Sequence, residues 1–146
     1  MCGAHATVRG LLGELVANPR EDRDILVDME AGLEHLSRGT ARHVSRFVAI
    51  IEPYFRSMET GRRVAELAAE AGITDVLAVA NKIRNDADRT AVRQFCEAHG
   101  LSVVAEVPYD PTLVEAEREG RPPIDYDDGA PAIVAISGLA ETLMHA

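Results

Sequence analysis

The chain has 146 residues, of which 47% are hydrophobic and 27% charged, and its formal net charge is -9. This size suits one domain around a single core, so residues 1–146 are expected to form one domain. The negative charge argues against nucleic-acid binding, which needs clustered cations. Because the sequence shows neither a secretory signal nor the ~18 apolar residues of a membrane span, we expect a cytoplasmic protein without a membrane span.

Four short apolar runs predict β-strands. They are Ile25–Val27, Phe47–Ile51, Val76–Ala80 and the weaker Val103–Val107. The first three are continuously apolar rather than alternating, which is typical of strands covered on both faces of a parallel sheet.

Segments with helical spacing of apolar residues separate and follow these runs. They are residues 6–17, 33–44, 57–71, 87–99, 111–118 and 131–144, whereas residues 121–129 are expected to form a loop. Alternating strands and helices predict an α/β fold with three layers and a doubly wound, mostly parallel sheet.

Ligands of open parallel sheets bind beyond the carboxyl ends of the strands, so the residues after each run are the candidates for a site. The first run ends at Asp28, and Gly32 follows four residues later. An aspartate there can hold Mg²⁺ directly or through water, while a glycine amide can approach a γ-phosphate. An aspartate that caps the next helix is an equally good interpretation of this spacing.

Asn81 and Lys82 follow the third run. An asparagine amide offers a donor and an acceptor to a purine edge. The residue two positions after Lys82 is Arg84, which cannot accept the N–H groups of guanine, so adenine is the expected base. A turn asparagine is the alternative. After the fourth run, Pro108, Tyr109 and Asp110 can lay backbone groups along a base.

The segment from Asp24 to Thr40, DILVDMEAGLEHLSRGT, resembles the switch segment of the CooC-type ATPases that mature carbon monoxide dehydrogenase. These proteins form part of the MinD/ParA branch of deviant-Walker P-loop ATPases. Asn81-Lys82 and Val107–Asp110 follow in the order that the family shows, and the similarity covers most of the chain.

The resemblance implies the C-terminal part of a P-loop NTPase fold that binds ATP or ADP with Mg²⁺. Asp28 would serve Mg²⁺ and the attacking water, and Gly32 would sense the γ-phosphate. Asn81 with Lys82 would form the adenine-reading turn, and Pro108–Asp110 would line the base pocket. The implied partners are a second copy of the chain and, as client, the nickel-containing carbon monoxide dehydrogenase, so the implied role is that of a nickel metallochaperone.

The phosphate-binding loop of this fold, Gly-x-x-x-x-Gly-Lys-Ser/Thr, does not occur in the sequence, and Lys82 is its only lysine. We therefore expect the chain to bind ATP weakly or not at all, and not to hydrolyse it alone. Our hypothesis is an N-terminal truncation, with Met1 an internal methionine of a longer frame, or a split gene.

The family also carries a Cys-x-Cys pair, and Cys2 stands in the place of its second cysteine. Two such pairs could hold Zn²⁺ or Ni²⁺ at a dimer interface. A thiol without metal is the alternative, and it is the one we expect in the isolated chain.

Two other functions remain open. The chain could be a non-catalytic interaction domain or a partner subunit of a separate P-loop protein. It could also be a receiver-like domain, with Asp28 as phosphoacceptor and Lys82 as phosphate-sensing cation. The receiver needs an acidic pair after an earlier strand, and no strand precedes Ile25 in the sequence pattern.

Overall fold

A computed structural model describes residues 10–11, 13–15, 25–28 and 45–144 of the chain. Its elements alternate as the sequence predicts: β1 Phe47–Ile51, α1 Phe55–Glu70, β2 Val76–Ile83, α2 Asp86–Ala98, β3 Ser102–Pro108, α3 Pro111–Arg118, α4 Pro123–Tyr126 and α5 Pro131–Met144. The three strands form one sheet in the order β1-β2-β3, with β2 and β3 parallel. The α/β class is therefore confirmed.

The described residues fall into two compact units. The unit formed from residues up to 47 and 63–76 has a small core of Ala68 and Ile73, packed by five partly buried neighbours that include Phe47 and Leu67. Asp75 closes this unit locally, because its carbonyl accepts the Phe47 N–H and its carboxylate accepts a bond from Arg46. The expectation of one domain over residues 1–146 stays a prediction.

The unit formed from residues 48–62 and 77 onwards contains most of the sheet and the helices after it. Val79 and Val107 face Ala132 of α5 in its core, and Val48, Val104, Ala105, Leu113, Ala135 and Leu139 pack around them. Burial of these aliphatic side chains attaches α5 to the sheet, since a valine or leucine side chain contributes roughly 1.5–3 kcal/mol when fully buried.

Local sequence explains where the helices begin and end. Asn85 caps α2, because its side chain accepts the N–H of Asp88 at 2.9 Å. Gly72 follows α1 with φ of 83°, a left-handed conformation that glycine adopts without strain and that terminates the helix.

The structure corrects three expectations. Residues 25–28 have no regular secondary structure, and Leu26 is 92% exposed, so the first predicted strand does not form there. A short apolar run gains strand stability only from a paired neighbour, and the sheet of the described residues pairs β1, β2 and β3 alone. The predicted loop at 121–129 contains the short helix α4, where Pro123 stands at a first-turn position. The third correction concerns the candidate site: β2 continues to Ile83.

Predicted helices 111–118 and 131–144 are confirmed at both ends. Those at 57–71 and 87–99 are confirmed with ends shifted by one or two residues. Residues 10, 11 and 13–15 are helical, in agreement with the predicted first helix. The predicted helix at 33–44 lies outside the described residues.

Candidate functional site

Asn81 and Lys82 lie in a β-bulge rather than in a turn after the strand. Ala80 pairs with Glu106, and the next pair is Ile83 with Pro108, so two residues of β2 stand opposite the single Val107 of β3. Lys82 has φ of 55°. Among the described residues, it is the only non-glycine residue with a positive φ. Bulges re-aim side chains and occur preferentially beside active sites.

The Lys82 ammonium forms an ion pair with a carboxylate. Its Nζ donates to Glu52 Oε1 at 2.8 Å, which joins the residue after β1 to the bulge of β2. The hydrogen bond to Glu52 raises the pKa of Lys82, so the Lys82 ammonium stays charged at neutral pH. Sequence spacing placed both residues at strand ends, yet the pairing itself, across 30 residues, had no signal in the sequence.

Asn81 has a half-buried side chain, and within the ranges that the structure describes it makes no hydrogen bond. A primary amide in that state offers two N–H donors and a carbonyl acceptor to a ligand. The absence of an internal partner is the property that a base-reading residue requires.

The segment after β3 is fixed beside the end of β2. Tyr109 donates its N–H to the Ile83 carbonyl at 2.9 Å, and the Arg84 guanidinium lies over the Tyr109 ring, 4.8 Å from its centroid. Tyr109 remains 43% exposed. The structure thus brings Asn81-Lys82 and Pro108–Asp110 together at the carboxyl ends of neighbouring parallel strands, where ligands of such sheets bind. Pro108 itself closes β3.

Asp110 is buried, and its carboxylate serves two backbone donors. Oδ1 accepts the N–H of Thr112 at 3.0 Å and so caps α3, while Oδ2 accepts the N–H of Ala132 in α5 at 3.1 Å. The bond from Ala132 is the main reason why the pKa of Asp110 is lowered. Its carboxylate therefore holds the base-pocket segment in place, and a base contact by its backbone stays a prediction.

The remaining predicted site residues belong to the N-terminal part of the chain. Asp28 is exposed in irregular backbone, so its carboxylate is accessible to a cation. Its role with Mg²⁺ stays a prediction, since Asp28 belongs to one compact unit and Asn81 to the other. Gly32 and Cys2 lie outside the described residues.

The described residues show neither a metal-binding cluster nor a membrane-spanning helix. Residues 10–11, 13–15, 25–28 and 45–144 contain no group of three or more His, Cys, Asp or Glu side chains able to hold a metal ion. None of the helices in those ranges has the length and apolarity to cross a bilayer. The cytoplasmic location stays a prediction.

The chain is similar to known proteins in sequence and in fold. No protein-family model matches the chain. The chain is 35% identical over 131 residues to an uncharacterized ATP-binding protein of Methanocaldococcus jannaschii, covering 89% of the chain and 49% of that protein. It is 33% identical over 120 residues to the carbon monoxide dehydrogenase accessory protein CooC of Rhodospirillum rubrum, covering 82% of the chain and 44% of that protein. The chain therefore spans about half the length of these curated relatives.

Solved structures show the same fold. The MinD cell division protein of Aquifex aeolicus superposes with a TM-score of 0.76 and 22% identity, over 97% of this chain and 61% of that one. MinD of Pyrococcus horikoshii, complexed with Mg-ADP, superposes with a TM-score of 0.71 and 20% identity, over 95% and 56%. The resemblance stated from the sequence is thus confirmed, and the fold is that of the matching part of MinD.

Proposed function

We propose that this chain, which is homologous to the CooC-type ATP-binding proteins and shares the fold of MinD, supplies the adenine-reading part of a nucleotide site in a MinD/ParA-type ATPase. The observation that carries the proposal is the bulge of β2. It leaves the Asn81 amide without an internal partner among the described residues, beside the fixed segment Pro108–Asp110.

The residues at the carboxyl ends of β2 and β3, here called the rim of the sheet, favour adenine by their chemistry. Asn81 can donate to a ring nitrogen of adenine and accept from its exocyclic amino group, a bidentate pairing that is specific for this base. Guanine would need an acceptor for its N–H groups, and the neighbouring Arg84 presents only donors. The Arg84 guanidinium is also held in place over Tyr109.

The phosphate end of the nucleotide lacks its usual ligands in this sequence. There is no Gly-x-x-x-x-Gly-Lys-Ser/Thr segment, and the single lysine, Lys82, is paired with Glu52. Asp28 would hold Mg²⁺ and Gly32 would approach the γ-phosphate, by resemblance to the family. We therefore propose that the chain alone binds through the base, weakly, and does not hydrolyse ATP.

Isotope-edited NMR tests this proposal directly. Adenosine and ATP should shift the amide signals of Asn81 and Tyr109, with guanosine weaker by roughly 5- to 150-fold, the range that one bidentate base contact provides. Asn81→Ala should abolish the shifts, whereas the matched change Gln94→Ala, an exposed amide on α2, should leave them unchanged. Equal shifts with both nucleosides, or shifts that survive Asn81→Ala, would contradict the proposal.

The client is proposed from homology. One relative is a carbon monoxide dehydrogenase accessory protein, so we propose that the ATPase to which this chain contributes assists nickel insertion into that enzyme, as a homodimer with Zn²⁺ or Ni²⁺ at Cys2. Carbon monoxide dehydrogenase expressed with and without this chain should differ in nickel content per enzyme. Unchanged nickel content and activity would exclude this client for the chain as it stands.

A further inference from the structure

We infer that the ion pair between Lys82 and Glu52 positions the Asn81 side chain on the rim of the sheet, so that Lys82 acts as a brace and not as a phosphate ligand. The inference rests on the proposed adenine-reading role of Asn81. Lys82 and Glu52 would act through the Asn81 side chain, and the first measurement that tests this needs no nucleotide.

The backbone of Lys82 shows that something holds it. A left-handed conformation at a residue with a Cβ is disfavoured and persists only where its surroundings enforce it. Here the bulge places Lys82 at φ of 55° between the buried residues Ala80 and Ile83. The pairs Ala80 with Glu106 and Ile83 with Pro108 fix both ends of the bulge, whereas Asn81 and Lys82 have no partner residue in the register of β2 and β3.

Glu52 is suited to supply the missing constraint. Its side chain is 25% exposed, and its backbone N–H donates to Ser57 Oγ at 2.9 Å, which ties it to the first turn of α1. The 2.8 Å bond from Lys82 Nζ therefore anchors the bulge to a residue that is itself anchored. Because Asn81 and Lys82 are joined by one planar peptide, holding Lys82 in its left-handed conformation next to Glu52 also restricts the direction in which the Asn81 side chain leaves the backbone.

The pair is too exposed to be explained by stability. The Lys82 side chain is 51% exposed, and exposed ion pairs contribute little to folding. A role in geometry predicts that breaking the pair changes Asn81 while leaving the urea midpoint almost unchanged. A purely structural role predicts the reverse.

Glu52→Gln is the decisive variant, because residue 52 is 30 residues from Lys82 in sequence and its substitution leaves the covalent neighbours of Asn81 unchanged. Without ligand, we expect the NMR signals of the Asn81 side-chain amide to shift. We also expect this side chain to exchange between two rotamers more than it does in the wild type. With adenosine, we expect binding to weaken at least about 5-fold, the lower bound for losing one bidentate base contact. Glu119→Gln, which removes an exposed carboxylate near Arg121, is the matched control.

Rescue completes the test. Lys82→Arg keeps a cation for Glu52 and should retain most of the affinity, whereas Lys82→Met should behave as Glu52→Gln does. Unchanged Asn81 signals in Glu52→Gln would overturn the inference. If those signals change while adenosine leaves the wild-type chain unaffected, the brace is supported and the proposed adenine site is refuted.

Discussion

Replacing Asp110 by alanine should be among the most destabilising single changes at the candidate site. Its carboxylate caps α3 through Thr112 and also accepts the N–H of Ala132, the fully buried second residue of α5. One side chain thus joins the end of β3 to two helices. Asp110 directly follows Tyr109, whose N–H is bonded to the Ile83 carbonyl at the end of β2, so the fold and the candidate site depend on the same short segment.

The magnitude follows from two separable losses. Loss of a helix cap costs about 1 kcal/mol. Leaving the buried N–H of Ala132 without an acceptor costs about 1–3 kcal/mol more. Asp110→Ala should therefore lower the free energy of unfolding by roughly 2–4 kcal/mol. Asp110→Asn retains one acceptor oxygen and should fall between alanine and the wild type.

Urea unfolding monitored by circular dichroism measures these values, and Asn85→Ala is the matched control. Asn85 caps α2 with a single exposed bond, to the N–H of Asp88, so its loss should cost only about 1 kcal/mol. The difference between the two alanine variants isolates the bond to α5. Equal costs would refute the assignment of a second, buried role to Asp110.

Three further outcomes are expected from the same assay. The lowered pKa of Asp110 means that its contribution to stability is present above the ordinary aspartate pKa of about 4 and is lost as the pH falls further. The stabilities of Asp110→Asn and the wild type should therefore converge as the pH is lowered below about 4, and a constant gap would contradict this. Gly61→Ala should lower the free energy of unfolding by about 1–3 kcal/mol, because the new Cβ would lie 2.6 Å from Cδ1 of the fully buried Ile51. Gly138→Ala, with open space around the new Cβ, should be neutral or stabilising. Lys82→Gly should be more stable than Lys82→Ala by roughly 1 kcal/mol, since both lose the ion pair and only glycine tolerates the left-handed backbone without strain. If alanine were the more stable of the two, as it usually is within a strand, the bulge would have to relax.

Periodicity predicted the helices well because their signals are local. α3 begins at Pro111 after the capping residue Asp110, and α5 begins at Pro131, both where the sequence indicated. Strand ends were less predictable. Asn81 and Lys82 are polar, and a polar pair after an apolar run normally indicates that the strand has ended. The structure instead continues β2 to Ile83 through a bulge, which depends on pairing with β3 and has no local signature.

The prediction of the first strand was wrong for a related reason. Ile25–Val27 has the composition of a buried strand, yet composition does not provide the partner strands that a buried strand requires. The site residues were easier to identify than their interactions. Position at strand ends selected Asn81 and Tyr109, whereas the bond of Lys82 to Glu52 connects residues 30 apart and arises only from the sheet.

The arrangement at the rim separates two tasks that one Asn-Lys pair could otherwise share. A free ammonium at Lys82 would attract phosphate, but here its charge is neutralised by Glu52, so the local field of the pair is small. In the proposed adenine site, recognition would depend on the neutral amide of Asn81, which responds to hydrogen-bond pattern rather than to charge. A site of this kind distinguishes bases and contributes little to phosphate affinity. Tight binding of a triphosphate would then require phosphate ligands other than the paired ammonium of Lys82.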